Sequence, residues 1–175
     1  MISTIKGDIT GLDFDIIVNA ANPHFAPGGG VCGAIFSKAG KELQTFCSKL
    51  PSGKPGDVRI SPAFDLPCKA IIHAVGPVYS GKESDKEALR SCYWNAVALS
   101  YQYMREHELD HLTLAFPCIS TGIYGYPHEE ACQIALNTIK KIRSAYPDTK
   151  AIDIVFVCFE QIDYQLYKEA LQTLI

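Results

Sequence analysis

Val18-Asn-Ala-Ala-Asn-Pro-His-Phe-Ala-Pro-Gly-Gly-Gly-Val-Cys-Gly33 follows the β-branched run Ile16-Ile-Val18 and leads into a helical pattern carrying Ile35, Phe36 and Ala39. The order is strand, loop, helix. Three consecutive glycines, Gly28, Gly29 and Gly30, leave the backbone bare, so its N–H groups can approach a ligand that side chains would hold off. A loop of this kind just before a helix presents unpaired amides and a positive dipole end, for which phosphate is the natural guest. A plain surface turn rarely needs three glycines running into a helix. Gly28-x-Gly30-x-x-Gly33 also matches the dinucleotide fingerprint of NAD-dependent oxidoreductases literally, but its context is wrong. In that fingerprint the first glycine turns directly off the strand, whereas nine residues separate Val18 from Gly28, and no acidic residue closes a following strand about 20 residues on.

Outward from this loop the same alternation continues. Val58–Ile60, Ala70–Val75, Leu112–Phe116 and Ile152–Phe159 read as strands, with Ile2–Ile5 an edge strand. Several are apolar at nearly every position, as in a sheet covered on both faces. Ser84-Asp-Lys-Glu87 is a capping-box pattern that opens a helix from about 85 to 107, with Leu89, Cys92, Tyr93, Ala96, Ser100 and Tyr103 on one face. Pro127 suits the first position of a second helix, which buries Ala131, Ile134, Ala135, Ile139 and Ile142. The C-terminal helix, from about Ile162, offers Leu166, Ala170, Leu171 and Leu174 to the core, and a short helix resumes after the first at Lys41–Leu50. The pattern predicts an α/β sandwich with a largely parallel sheet.

A second loop has the character of the first. Pro117-Cys-Ile-Ser-Thr-Gly-Ile-Tyr-Gly-Tyr-Pro127 follows the strand Leu112–Phe116 and leads into a helix. It forms another amide-rich turn at a strand's carboxyl end, where open α/β sheets bind ligands. Neither loop contains Lys or Arg. An anion held between them would therefore be held by neutral backbone donors and helix ends.

Composition sets the outer bounds. The 175 residues carry 16 basic and 19 acidic side chains, a net charge of −3, which excludes a strongly basic nucleic-acid coat. With 47% apolar and 20% charged residues the chain is globular, and its length suits one domain, residues 1–175. The seven cysteines include no Cys-x-x-Cys pair and lie mostly in apolar runs, so they read as reduced thiols. Without a signal-peptide core or an apolar stretch of about 18 residues, the expectation is a soluble cytoplasmic protein with no membrane partner.

Taken together, Gly7-Asp-Ile-Thr10, Val18-Asn-Ala-Ala-Asn22, Gly28-Gly-Gly-Val31, His73-Ala-Val-Gly-Pro77 and Ser120-Thr-Gly-Ile-Tyr-Gly125, in this order and spacing, resemble the macrodomain family over about residues 2 to 172. The resemblance implies a three-layer α/β/α sandwich around a mixed, mostly parallel six-stranded sheet. It also implies binding of ADP-ribose and, in the MacroD-type branch, hydrolysis of ADP-ribose from modified carboxylate side chains and from O-acetyl-ADP-ribose, with no cofactor and no metal. Partners would be ADP-ribose and ADP-ribosylated proteins; nucleic acid would enter only as an ADP-ribosylated substrate, and a monomer is expected.

By the same resemblance Asp8 would accept the adenine amino group and the Ile9 backbone would recognise the ring. Phe159 would pack on adenine, its alternative being a core aromatic. The amides of Ser120, Thr121, Gly122, Ile123 and Tyr124 would hold the pyrophosphate, and Gly28, Gly29, Gly30, Val31 and Cys32 would cradle the distal ribose and its phosphate, with Ala21 beside them. Asn22 would hydrogen-bond the distal ribose and act by orientation, because an amide is neutral at pH 7. Typical cellular relatives of this type have Asp where this chain has Cys32, while a Gly-Val-Cys loop is similar to some viral macrodomains, several of which are hydrolases. Cys32 then either lends only its backbone amide or, as a thiol at a helix N-terminus with a depressed pKa, serves as nucleophile or base. The alternative to hydrolysis is a reader module that binds ADP-ribose without turnover. His24 reads as a solvent-facing loop residue, His73 as a satisfied core histidine, and no His/Cys spacing resembles a zinc site.

Overall fold

The computed structural model describes residues 1–173, so Leu174 lies outside the described residues. Strands β1 (Ile2–Lys6), β2 (Ile16–Ala21), β3 (Val58–Pro62), β4 (Ala70–Val75), β5 (Leu112–Phe116) and β6 (Ile152–Cys158) form one sheet in the order β1-β6-β5-β2-β4-β3. Every pairing is parallel except β3 with β4, so the sheet is mixed, with β1 at one edge as the sequence predicts. Helices α1 (Gly30–Ala39) and α2 (Lys41–Cys47) cover one face, and α3 (Glu83–Glu106), α4 (His128–Ala145) and α5 (Gln161–Gln172) cover the other. This is the three-layer α/β/α sandwich.

Strand geometry divides the core between the layers. Successive side chains of β2 point to opposite faces, so Ile16 and Val18 pack under α3 and α4 while Ile17 and Ala21 pack under α1. All six residues of β4 are buried, which is why the strand is apolar at every position but His73. On α4 the five residues assigned to the core are all buried. Leu166, Ala170 and Leu171 of α5 pack against the core only partly buried, and the fully buried anchor of that helix is Tyr167.

Two helix starts differ from expectation. The start of α3 is held by Asp85, whose buried carboxylate accepts from the Ser80 amide at 2.7 Å, the Ser80 hydroxyl at 2.8 Å and the Lys82 amide at 3.3 Å. Ser84 lies inside the helix, so the Ser84/Glu87 box does not form; the shorter acid nearer the turn reaches more donors. Pro127 is the residue before α4, which begins at His128. Its extended ψ of 127° keeps it outside the helix.

His73 is fully buried on β4 and satisfied, as read from sequence. Its Nδ1 lies 3.1 Å from Asn19 Nδ2 and its Nε2 2.8 Å from Ser61 Oγ, which donates in turn to the Pro62 carbonyl at 3.0 Å. Asn19 donates, so His73 is the neutral tautomer carrying its proton on Nε2. Burial pushes its pKa down to about 4. Between pH 6.5 and 4 the unfolded chain therefore binds a proton that the folded one does not, and stability present above pH 6.5 is lost as pH falls through this window. The stability difference between wild type and His73→Gln, measured by urea unfolding, should shrink by about 3 kcal/mol from pH 7 to pH 4. A constant difference would show that His73 titrates in the fold as it does in the unfolded chain.

Candidate ligand-binding cleft

The cleft follows from the topology. Strands β2 and β5 are neighbours, but their loops leave in opposite directions, β2 toward α1 on one face and β5 toward α4 on the other. Between them the register runs only through Ile16↔Leu114 and Ile17↔Ala115, whereas β2 stays paired with β4 as far as Ala21↔Val75. The strands part at their carboxyl ends. That is the crevice in which open α/β sheets hold ligands. A cavity of about 480 Å³ fills it, within the usual range for small-molecule sites.

Each residue assigned to the site from sequence lines this cavity. Asp8 and Ile9 stand after β1, Ala21 and Asn22 at the end of β2, Gly28 to Cys32 at the start of α1, Ser120 to Tyr124 after β5, and Phe159 after β6. Phe159 is 82% exposed, which overturns the core alternative. His24 is exposed and stands outside the lining, as read.

The first loop is built around Asn22. Its Oδ1 accepts from the His24 and Ala26 amides, both at 3.1 Å, and its Nδ2 donates to the Ala26 carbonyl at 2.8 Å, leaving one N–H without a partner among the described residues. The adjoining Phe25 adopts φ 54° and is buried edge-on against His73, which nails the loop to the core. Gly29 ends the loop as the N-cap of α1 without a side-chain cap bond, so the first-turn amides of that helix face the cavity.

The second loop is tied at its base. The Cys118 carbonyl accepts from Thr121 Oγ1 at 3.0 Å, and the Tyr126 amide donates to the Ser120 carbonyl at 2.8 Å. Ser120 sits at φ 67°, and its buried Oγ has no partner among the described residues. Asp163, buried at the start of α5, accepts from His128 Nδ1 at 2.7 Å, and its other oxygen lies 3.5 Å from Thr121 Oγ1, whose proton goes to the nearer Cys118 carbonyl. Glu160 joins His128 and Asp163 in a group of ligand atoms within 4.8 Å of one another.

Positive charge is as sparse as the loops suggested: among the described residues no Lys or Arg lines the cavity, whose charged members are Asp8, Glu160 and Asp163. The Asp8 carboxylate is held below its ordinary range by the Thr10 hydroxyl and amide at 2.6 and 2.9 Å, and then by Lys38 at 3.4 Å. It is a carboxylate acceptor at any physiological pH.

Cys32 departs from one of its two readings. Its side chain is buried, with Sγ 3.6 Å from both Asn19 Nδ2 and the Ala26 carbonyl. Burial raises its pKa despite its place in the first turn of α1, so the thiol stays protonated and is a poor nucleophile or base. Sequence reasoning missed Gly76, Cys118 and Asp163 among the lining residues. Gly76 carried a signal, since it stands in His73-Ala-Val-Gly-Pro77. A Cβ there would lie 2.3 Å from Ser120 Oγ and 2.7 Å from Ile119 Cγ2.

No helix among the described residues is long and apolar enough to cross a membrane. Sequence and structure comparisons agree with the geometry. A macro domain-containing protein of Ralstonia nicotianae is 45% identical, the match covering 95% of this chain and 92% of that one. The ADP-ribose glycohydrolase MACROD2 of Xenopus laevis is 41% identical over 97% of this chain, which spans 40% of that longer protein. The Oceanobacillus iheyensis macrodomain with ADP superposes with a TM-score of 0.85 at 37% identity, covering 98% of this chain and 90% of that one. The Trypanosoma brucei macrodomain in complex with ADP-ribose gives 0.84 at 33% identity, covering 97% and 68%. The Macro domain family model matches residues 18–135, and with these motifs in this fold the chain belongs to the macro domain family.

Proposed function

We propose that the chain binds ADP-ribose in this cleft and hydrolyses ADP-ribose from mono-ADP-ribosylated acidic side chains, with O-acetyl-ADP-ribose as a second substrate. The observation that carries the reading is the pair of amide-rich loops facing each other across the parted ends of β2 and β5, one of them holding Asn22 by three hydrogen bonds. The names of the Xenopus glycohydrolase and of the ADP-ribose complex support it. In this assignment the pyrophosphate lies on the Ser120–Tyr124 and Gly28–Cys32 amides, adenine lies between Asp8, Ile9 and Phe159, and the distal ribose meets the free N–H of Asn22. Breaking the bond at the anomeric carbon develops oxocarbenium-like charge, while acyl attack develops an oxyanion; either route needs a positioned water. Asn22 supplies position, held in one rotamer by its own loop before substrate arrives.

The test pairs calorimetric titration of ADP-ribose with release of ADP-ribose from a protein modified on Glu or Asp. Binding together with release supports the proposal, and binding with an intact substrate after hours replaces it with the reader module.

The protonated, buried Cys32 favours that reader alternative, and one substitution separates the two. Cys32→Asp should raise release only about threefold or less if the native enzyme already turns over, and by about 100-fold from an inactive parent if the protein is a reader. Rates of the two proteins on the same substrate decide it.

A further inference from the structure

Beneath the second loop two thiols face each other. Cys118 Sγ lies 3.6 Å from Cys158 Sγ, and among the described residues no other two cysteine sulfurs hydrogen-bond. The approach is built into the sheet. β5 and β6 are in register at Phe116↔Phe156, and the two cysteines stand two residues further along each chain, on the same side. Adjacent strands lie about 4.8 Å apart, inside the range of Cα separations that disulfides span. Closing to an S–S bond of about 2.05 Å requires a shift of about 1.5 Å, most of it available from side-chain rotation.

Both residues hold parts of the cleft. The Cys118 carbonyl anchors Thr121 of the second loop, and the Cys158 carbonyl accepts from the Gly7 amide at 3.0 Å, immediately before Asp8. Cys158 also precedes Phe159. Cys118 is half-buried and lines the cavity, so a small oxidant can reach it from the ligand side, while Cys158 is fully buried behind it.

We propose that Cys118 and Cys158 are a peroxide-oxidisable dithiol that closes to a disulfide under the second loop and thereby weakens ligand binding in the cleft; the effect on binding rests on the function proposed above. In the first step Cys118 Sγ attacks one peroxide oxygen: an S–O bond forms, the O–O bond breaks, and the departing hydroxide leaves as water with the thiol proton. In the second, Cys158 Sγ attacks Cys118 Sγ: the S–S bond forms, the S–O bond breaks, and hydroxide leaves as water with the Cys158 proton. Two thiols and one peroxide give one disulfide and two waters, the sulfurs losing two electrons and the peroxide oxygens gaining them. The Cys118 thiol donates to Cys158, which lowers the Cys158 pKa and raises its own, so the first proton of the pair leaves Cys158. Cys118 is the sulfur that lines the cavity, and it becomes the attacking thiolate by passing its proton to Cys158 across the 3.6 Å contact.

Purified protein is reduced, exposed to hydrogen peroxide with and without saturating ADP-ribose, alkylated and analysed by intact mass and peptide mapping. The expected result is two fewer alkyl groups than on the reduced control, the disulfide itself accounting for a loss of about 2 Da, with Cys118 linked to Cys158, absent in Cys118→Ser and Cys158→Ala, slowed by ADP-ribose, and reversed by dithiothreitol. The oxidised protein should bind ADP-ribose about tenfold more weakly than the reduced one. Oxygen adducts without the linked peptide, or linkage of other cysteines, would overturn the dithiol. A 118–158 disulfide with unchanged affinity would overturn its effect on the cleft. A reduced protein that fails to bind ADP-ribose would instead overturn the proposed function, with the mass and linkage still deciding the dithiol.

Discussion

Asn22→Ala should lower the rate of ADP-ribose release from a modified acidic side chain by about 100-fold, with affinity for free ADP-ribose reduced by about fivefold or less. On the function proposed above, the two numbers differ because the amide has two jobs. Three of its hydrogen bonds stay within its own loop, to His24 and Ala26, and hold the turn that delivers the glycines. One N–H remains, on the Nδ2 that lies 3.6 Å from the position a Cβ on Gly28 would take. Loss of the first job loosens the loop, which is partly solvent-exposed and separately anchored by Phe25, so it costs about 1 kcal/mol of stability and little affinity. Loss of the second removes an orientation that matters most in the transition state, when the distal ribose must sit still against a water. Calorimetry gives the affinity, a release time course gives kcat, and urea unfolding gives the stability. Equal losses in kcat and affinity would mean that Asn22 acts only through the turn.

That dual role shows what a sequence can and cannot disclose. Strands such as Ala70–Val75 and Leu112–Phe116 were legible because a strand buried on both faces is apolar at nearly every position, His73 and Thr113 being the exceptions, and runs this short between turns are too brief for helices. The two loops were legible because glycine runs next to helix starts have few other uses. The hydrogen bonds beneath them were not. His73, Asn19 and Ser61 lie on three different strands, and their contact exists only once β2, β4 and β3 are in register. Phe25 gave no sign that it would turn inward, because its positive φ is imposed by the Asn22 turn and its burial by β4. Asp85 was obscured by a better-known pattern beginning at Ser84. In each case the missing information is long-range pairing or competition among nearby acceptors, and neither has a period. The raised pKa of Cys32 is of the same kind: its place at a helix start and the Asn19 amide beside it argue for a thiolate, and burial outweighs them.

Gly29→Val should weaken ADP-ribose binding by about tenfold, while leaving stability within about 0.5 kcal/mol of wild type. The asymmetry comes from where the new side chain goes. A Cβ on Gly29 meets nothing within 4 Å, and the residue's φ of −87° with ψ near 180° is an extended conformation that valine adopts readily. The fold therefore has no reason to resist it. The open space is the cavity itself, and Gly29 is the residue from which the uncapped first turn of α1 begins. A branched side chain there stands between the amides and a pyrophosphate, and neutral amides lose their hold once the anion is pushed beyond hydrogen-bond range. With no Lys or Arg in the lining, no longer-range attraction compensates. Gly33, four residues along, gives the contrasting result. A Cβ there would lie 2.5 Å from the Gly28 carbonyl oxygen, so Gly33→Ala must move backbone and should lose both stability and binding. Thermal unfolding and calorimetry on the two variants separate the effects. If Gly29→Val retained wild-type affinity, phosphate would not rest on the α1 amides. An acidic protein would then need some other way to hold a dianion, and the lining offers none with a positive charge.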